Sequence, residues 1–390
     1  MDRQNLPDRL KELAQLFFKL GLIGFGGPQA HIAMIHEEAV GRRGWFTEEE
    51  FLEGVAICEM LPGPASTQMG IYTGYIRGGQ LGALVAGICF VLPAFLIVVT
   101  LSWAYFRFQG VPQINDIFLG VSPVVIAIIW AFCWKLFKKA LSGWQSVAIA
   151  IAVFIATSVF QINILLQFIL AGIVGLIIYA PKRTTLNSWL WPLFMLNLPV
   201  SSFWGKERIG EFFLPLMTFF LKVGSFIFGG GLVIIPLLEF EVVHQMQWLT
   251  SNQFINGVAI GEITPGPVVI TAAFIGYRVA GVLGALVATI GIFTPSFIFI
   301  MLAAPFLARI RRNPRIQSFL KGVTPAVLGA VAGATIPLAR AAFIQDTEAK
   351  SVIAVIIGLI SLIMLIRWRR PTWQLVPGGA IVGLIVGAVL

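Results

Sequence analysis

The chain has 390 residues, 58% of them hydrophobic and only 12% charged, with a mean hydropathy of +0.89. A soluble domain of that composition would be covered in exposed apolar surface, so the sequence excludes one and points to an integral membrane protein. The net charge of +9 does not argue for nucleic acid, because Lys and Arg fall in short clusters between apolar runs, as in loops placed by the positive-inside bias.

Residues 1–16 mix acids and bases and lead into an apolar segment without a small-residue cleavage site, so they read as an interfacial helix rather than a signal peptide. Beyond them, apolar runs long enough to cross a bilayer recur, for example at 81–106, 117–134, 284–307 and 351–366. These runs are continuous rather than alternating, which selects helices over barrel strands. Cys58, Cys89 and Cys133 sit singly in apolar stretches with no second ligand at metal spacing, and read as small buried hydrophobes. No nucleophile-base set, metal cluster or cofactor motif is evident, so neither an enzyme nor a resident cofactor is expected.

"GVAICEMLPGP" at 54–64 returns as "GVAIGEITPGP" at 257–267, an offset of 203 residues. At the same offset Lys19 meets Lys222, Phe25-Gly26-Gly27 meets Phe228-Gly229-Gly230, Glu38 meets Glu241, and Trp45-x-Thr47 meets Trp248-x-Thr250. At an offset of 202, Gly74-Tyr75 meets Gly276-Tyr277, Pro93 meets Pro295, and Gly120-Val121-x-Pro123 meets Gly322-Val323-x-Pro325. Register kept over that length marks an internal duplication. The expected divisions are an N-terminal segment 1–16, a first repeat 17–183, a linker or extra crossing 184–210, and a second repeat 211–390.

Each half reads as about six hydrophobic elements, the first two short and broken by Gly and Pro. A capping box is expected at Thr47 with Glu50, and at Thr250 with Gln253. Those helices should run to Glu59 and Glu262, stop at Pro-Gly-Pro, and restart with Pro64 and Pro267 in the first turn. Basic residues crowd different loops in the two halves: Lys135, Lys138 and Lys139 in the first, but Arg309, Arg311, Arg312, Arg315 and Lys321, one loop earlier, in the second. If basic loops share a side, the halves are inverted. The expected fold is therefore an all-α polytopic membrane protein of two inverted-topology repeats, whose Gly/Pro-broken helices either cross or re-enter.

Inverted repeats with broken helices at matching positions are the pattern of secondary transporters. Freed N–H groups and helix N-termini at the breaks suit an anion. The candidate substrate contacts are Lys19, Gly26, Gly27, Gly63, Pro64, Lys222, Gly229, Gly230, Gly266 and Pro267. Each Lys has a second reading, as a residue that snorkels or pairs with a Glu. Glu59 and Glu262 have three: ion-pair partners of the lysines, proton carriers, or ligands for a co-transported cation. Arg77 and Arg278 read as interfacial anchors, Glu38 and Glu241 as solvated or capping residues. His31, His36 and His244 form no register-matched pair, and no role is expected for them.

"GLIGFGGPQAHI", "WFTEEEF" and "EMLPGPASTQMGIYTGY", with their echoes "GSFIFGGGLVIIP", "WLTSNQF" and "EITPGPVVITAAFIGY", resemble the chromate ion transporter family in its long, two-domain form, over about 17–342. The resemblance implies a carrier of the inner membrane that exports chromate and accepts sulfate as a competitor, with Gly26, Gly27, Pro28, Pro62, Gly63, Pro64, Gly229, Gly230, Pro265, Gly266 and Pro267 at its motif positions. The family pattern is expected to carry Gln where this chain has Glu59 and Glu262. A carrier of another tetrahedral dianion, and a cation or proton exchanger, are the alternatives.

Overall fold

The computed structural model describes residues 5–108, 110–179, 209–227, 231–303 and 314–389, and every regular element among them is a helix. In the first half these are α1 (Leu6–Ile23), α2 (Pro28–His36, prolonged by a π-helical turn at Glu37–Arg42), α3 (Glu48–Met60), α4 (Ala65–Phe108), α5 (Pro112–Ala140), α6 (Trp144–Ser158) and α7 (Ile164–Tyr179). The second half repeats the series as α8 (Ile209–Gly224), α9 (Ile234–Glu239, prolonged by a π-helical turn at Phe240–Gln245), α10 (Ser251–Ile263), α11 (Thr271–Ala303), α12 (Pro314–Phe343), α13 (Glu348–Ile366) and α14 (Thr372–Val389). The π turns fall at matching positions, 203 residues apart. The first helix runs without a break through residue 17. Residues 180–208, including most of the expected linker or extra crossing, lie outside the described residues.

Both capping boxes form as the sequence predicts. Thr47 accepts from the Glu50 N–H while Glu50 reaches back to the Thr47 N–H, and Thr250 and Gln253 repeat the exchange. Pro64 and Pro267 stand one place earlier than expected, just before their helices: Ala65 opens α4, and a short 3-10 turn, Val268–Ile270, leads into α11.

The long helix α4 is two limbs folded back on each other. At Gly78 the backbone leaves the helical region and at Gly79 φ is +63°, a left-handed conformation that favours glycine. A Cβ on Gly74 would collide with the Gly82 carbonyl, so the limbs 65–77 and 80–108 pack backbone to backbone. The same hairpin recurs in α11, with Gly281 at φ +62° and Gly276 against Gly284.

The helices before each hairpin also double back. A Cβ on Gly54 would strike Tyr72, which lies well beyond Pro62-Gly63-Pro64, so α3 and the first limb of α4 form a hairpin with that tripeptide at its tip. In the second half Gly257 meets Phe274 and Gly261 meets Thr271 around Pro265-Gly266-Pro267. Likewise α1 returns as α2 around Phe25-Gly26-Gly27, with Lys19 near Glu38 and Glu12 near Arg43 on the two arms. The chain therefore doubles back at these breaks rather than continuing in one direction.

The two halves exchange partners. α12 lies between α6 and α7, with Gly329 on Ala150 and Gly322 on Gly175, while α5 lies between α13 and α14, with Gly120 on Gly379. These glycine contacts permit the close backbone approach that packs helices where lipid gives no hydrophobic drive. Six of the described helices are long and apolar enough to cross a membrane, and the second limb of α4 turns Leu84, Ile88, Leu92 and Leu96 outward every fourth residue, as a lipid-facing stripe requires.

Candidate functional site

At the breaks, the two halves are tied to each other by a reciprocal pair of backbone hydrogen bonds. The Gly63 N–H donates to the Ile227 carbonyl at 2.7 Å, and the Gly266 N–H donates to the Gly24 carbonyl at 2.8 Å. Gly63 and Gly266 are 203 residues apart, as are Gly24 and Ile227, so each half offers the same donor to the other's same acceptor. That reciprocity is the mark of a two-fold relation.

Glycine is required at these tips. Gly26 and Gly27 have φ of +108° and +81°, and Gly63 and Gly266 have +133° and +104°, where a side chain strains the backbone. A Cβ on Gly63 would in addition run into Gln68 and Ser296. Gly27 caps α2 and Pro28 opens it, so the first N–H groups of that helix point toward the junction. Gly229 and Gly230 lie outside the described residues.

Lys19 and Lys222 belong to a different place. Lys19 lies 3.7 Å from Glu38, and Lys222 donates to Glu241 at 3.0 Å, with Asn163 donating to the same oxygen at 3.3 Å. The structure thus realises the pairing reading of the lysines, but with Glu38 and Glu241 as partners. Glu59 and Glu262 are not the ion-pair partners that the sequence allowed them to be. Glu38 and Glu241 are correspondingly not solvated or capping residues: both are buried, and Glu38 also bonds Arg42 and Arg43. Burial alone would raise the Glu38 carboxyl, but the hydrogen bond and charge of Arg43, with the charges of Arg42 and Lys19, outweigh it and hold it below the ordinary carboxylate range. Arg77 joins this cluster through Glu12 at 3.4 Å and stacks over Trp45, an anchoring role, and Arg278 lies over Phe106.

Glu59 and Glu262, matched in sequence, occupy opposite environments. Glu59 is exposed, whereas Glu262 is buried, hydrogen-bonded by Thr372 from α14 and left with one unpartnered oxygen. The contrast extends along whole faces. In the first half Gln29, Ala33, Glu37, Leu52 and Glu53 are exposed; in the second, Pro236, Phe240, Ile255 and Asn256 at the positions of the last four are buried under α5, α12 and α14. A carboxylate-bearing face is costly in hydrocarbon, so the first half's hairpins do not face lipid there.

Two contacts escape single-residue reasoning. His31, for which no role was expected, is 1% exposed and donates through Nε2 to the Gly24 carbonyl at 2.8 Å, the same oxygen that receives the Gly266 N–H. Asn256 bridges Tyr105 at 3.1 Å and Ser122 at 3.2 Å, sewing α10 to α4 and α5 across the halves. The usable signal was the repeat itself, since each of these residues breaks the match with its counterpart. His244, likewise set aside, lies 2.9 Å from the buried Glu239.

Comparison with known proteins agrees with this architecture. The model of the chromate transporter family matches residues 11–176 and again 214–384. The chain is 35% identical over 386 residues to a chromate transport protein of Cupriavidus metallidurans, covering 98% of this chain and 94% of that one. It is 38% identical over 367 residues to a probable chromate transport protein of Synechococcus elongatus, covering 91% and 89%. A Bacillus subtilis transporter, YwrA, is 32% identical over 169 residues, which is 95% of its own length but 42% of this chain. No solved structure matches. A multi-pass membrane protein whose two halves each match the same family model, the chain belongs to the chromate transporter family.

Proposed function

We propose that this chain is a secondary transporter that exports chromate across the inner membrane, with the two halves inverted relative to each other and the substrate held where the hairpin tips meet. The observation that supports this reading is the reciprocal pairing of Gly63 with Ile227 and of Gly266 with Gly24, which ties the breaks of one half to those of the other. The N–H groups of Gly63 and Gly266 are taken up by Ile227 and Gly24, so it is the helix N-termini that offer positive dipole ends, a setting for a tetrahedral dianion. The relatives named for chromate transport favour chromate, and sulfate, of the same charge and shape, is the expected competitor.

Moving a dianion outward through a negative-inside membrane releases about 4.6 kcal/mol per 100 mV, so export runs on the potential without an obligatory coupling ion. Glu262 adds a second link. Its charge, beside the Gly266 tip, would repel an arriving anion, so proton binding at Glu262 and anion loading favour each other. The water-bordered face with Glu37, Glu53 and Glu59 forms the approach to the tips in this conformation, and the rival cation exchanger would instead require these carboxylates as ligands.

The test is counter-flow in liposomes holding the purified full chain, with an imposed potential and no pH gradient. Chromate efflux that accelerates as the inside is made negative, and that sulfate inhibits, is the expected result. Absence of chromate flux, or cation flux in its place, overturns the reading.

A further inference from the structure

The tip is built twice, but it is polar only once. Next to Gly63 stand Gln68 and Ser296; next to Gly266, at the matching place, stands Ala94, whose Cβ lies 3.0 Å from a Cβ built on that glycine. After Pro62-Gly63-Pro64-Ala65 come Ser66, Thr67 and Gln68, whereas Pro265-Gly266-Pro267-Val268 is followed by Val269 and Ile270. Thr271, the polar residue that follows, is already bonded to the Val268 carbonyl at 2.8 Å. Ser66, Thr67, Gln68 and Ser296 are each 0–1% exposed, and among the described residues Ser66 Oγ, Thr67 Oγ1, Gln68 Oε1 and Ser296 Oγ have no partner.

That is not how buried hydroxyls behave elsewhere in this chain. Thr73, Ser102, Thr264, Thr289 and Thr335 are also buried, and each donates to the carbonyl four residues back at 2.6–2.8 Å. Such back-bonding is the default for Ser and Thr in a helix. A cluster of buried orphans is costly and calls for a group not yet in place. Its position supplies the chemistry. Ser66 and Thr67 lie in the first turn of the 65–77 limb, where backbone N–H groups lack helical acceptors, and Ser296 faces Gly63 from the other half. Gln68 is fixed by its Nε2 donating to the Pro62 carbonyl at 2.7 Å, which leaves its oxygen as an acceptor for a bridging water or for a proton on the ligand. Hydroxyl and N–H donors around a helix N-terminus suit a tetrahedral oxyanion.

We propose that the oxyanion binds at one tip only, the Gly63 tip, held by Ser66, Thr67 and Ser296 with Gln68 as the positioning acceptor, and that the Gly266 tip, which has Ala94 in place of Ser296 and Glu262 close in sequence, does not hold it. This rests on the oxyanion-carrier reading above and deepens it by making the site single and asymmetric.

The experiment uses purified full chain: chromate-dependent and sulfate-dependent thermal stabilisation in detergent, and the KM for chromate flux in liposomes, for wild type, Ser296→Ala, Thr67→Val and the mirror variants Ala94→Ser and Thr271→Val. The expected result is a tenfold or larger rise in KM and loss of the oxyanion-induced Tm shift in the first two, with an unchanged or higher Tm without ligand, because an orphan hydroxyl has been removed. The mirror variants should keep the wild-type KM. If Ser296→Ala and Thr67→Val keep both KM and the Tm shift, the single site is wrong while the carrier reading stands. If wild type itself neither moves chromate nor is stabilised by either oxyanion, the carrier reading fails and takes this inference with it.

Discussion

Lys222 and Glu241 show how a charge inside an apolar helix can point away from the chemistry. The ammonium is half exposed and the carboxylate buried, and the two meet at 3.0 Å with Asn163 on the same oxygen. Removing the cation alone leaves a buried charge short of a partner, so Lys222→Gln should lower stability by about 1–3 kcal/mol. The double variant Lys222→Gln with Glu241→Gln should recover most of that loss and restore chromate flux, as read by a double-mutant cycle on Tm and on liposome transport. A double variant that is stable but inert would place Lys222 in the substrate path. Glu262 is the opposite case, buried with one oxygen unpartnered and no cation beside it among the ion pairs of the described residues. Glu262→Gln, which fixes the neutral form, should flatten the pH dependence of chromate flux, whereas Glu59→Gln, at an exposed carboxylate, should leave it as in wild type. The identity of these residues as special was legible from sequence, because each interrupts an apolar run twice at one offset. Their partners were not, because pairing depends on how α1 doubles back on α2. The turn at Gly26-Gly27 brings Glu38, rather than Glu59, to Lys19.

At the scale of elements, the re-entrant hairpins follow from a few residues whose meaning is local. The capping boxes at Thr47 and Thr250, the Pro-Gly-Pro breaks and the turn at Gly26-Gly27 all fall where the sequence puts them. The fold-back inside α4 and α11 was hidden, because the run at 81–106 shows nothing of how the restarted helix before it packs, and only the backbone shows Gly79 at φ +63°. Gly79→Val should cost about 1–2 kcal/mol for left-handed strain, measured as a lower Tm with retained chromate affinity in the remaining folded protein. The unequal burial of matching hairpins gives a second expectation. Leu52 is 57% exposed and its counterpart Ile255 is 1% exposed. In a background lacking Cys58, Cys89 and Cys133, Leu52→Cys should react with a water-soluble maleimide many-fold faster than Ile255→Cys. Equal rates would mean that the first half's face is not bordered by water.

For the whole molecule, the reciprocal bonds between the halves make sense of the duplication: in the proposed carrier a site between two copies is completed only when both are present, and exchanging which copy is packed against α5, α12 and α14 would move the open face from one half to the other. Composition, apolar runs and the 203-residue offset were enough to read the membrane fold and the existence of two copies. They were not enough to read the swapped packing of α5 and α12, which rests on contacts between Gly120 and Gly379 and between Gly322 and Gly175, residues far apart along the chain. The orientation of the copies is the claim on which the shared site and alternating access both depend. It is tested most directly by placing single cysteines at Lys138, at the end of α5, and at Arg315, at the start of α12, and labelling each with a membrane-impermeant maleimide in right-side-out and inside-out vesicles. Inverted copies predict that both label from the same, cytoplasmic, side; labelling from opposite sides would contradict the account.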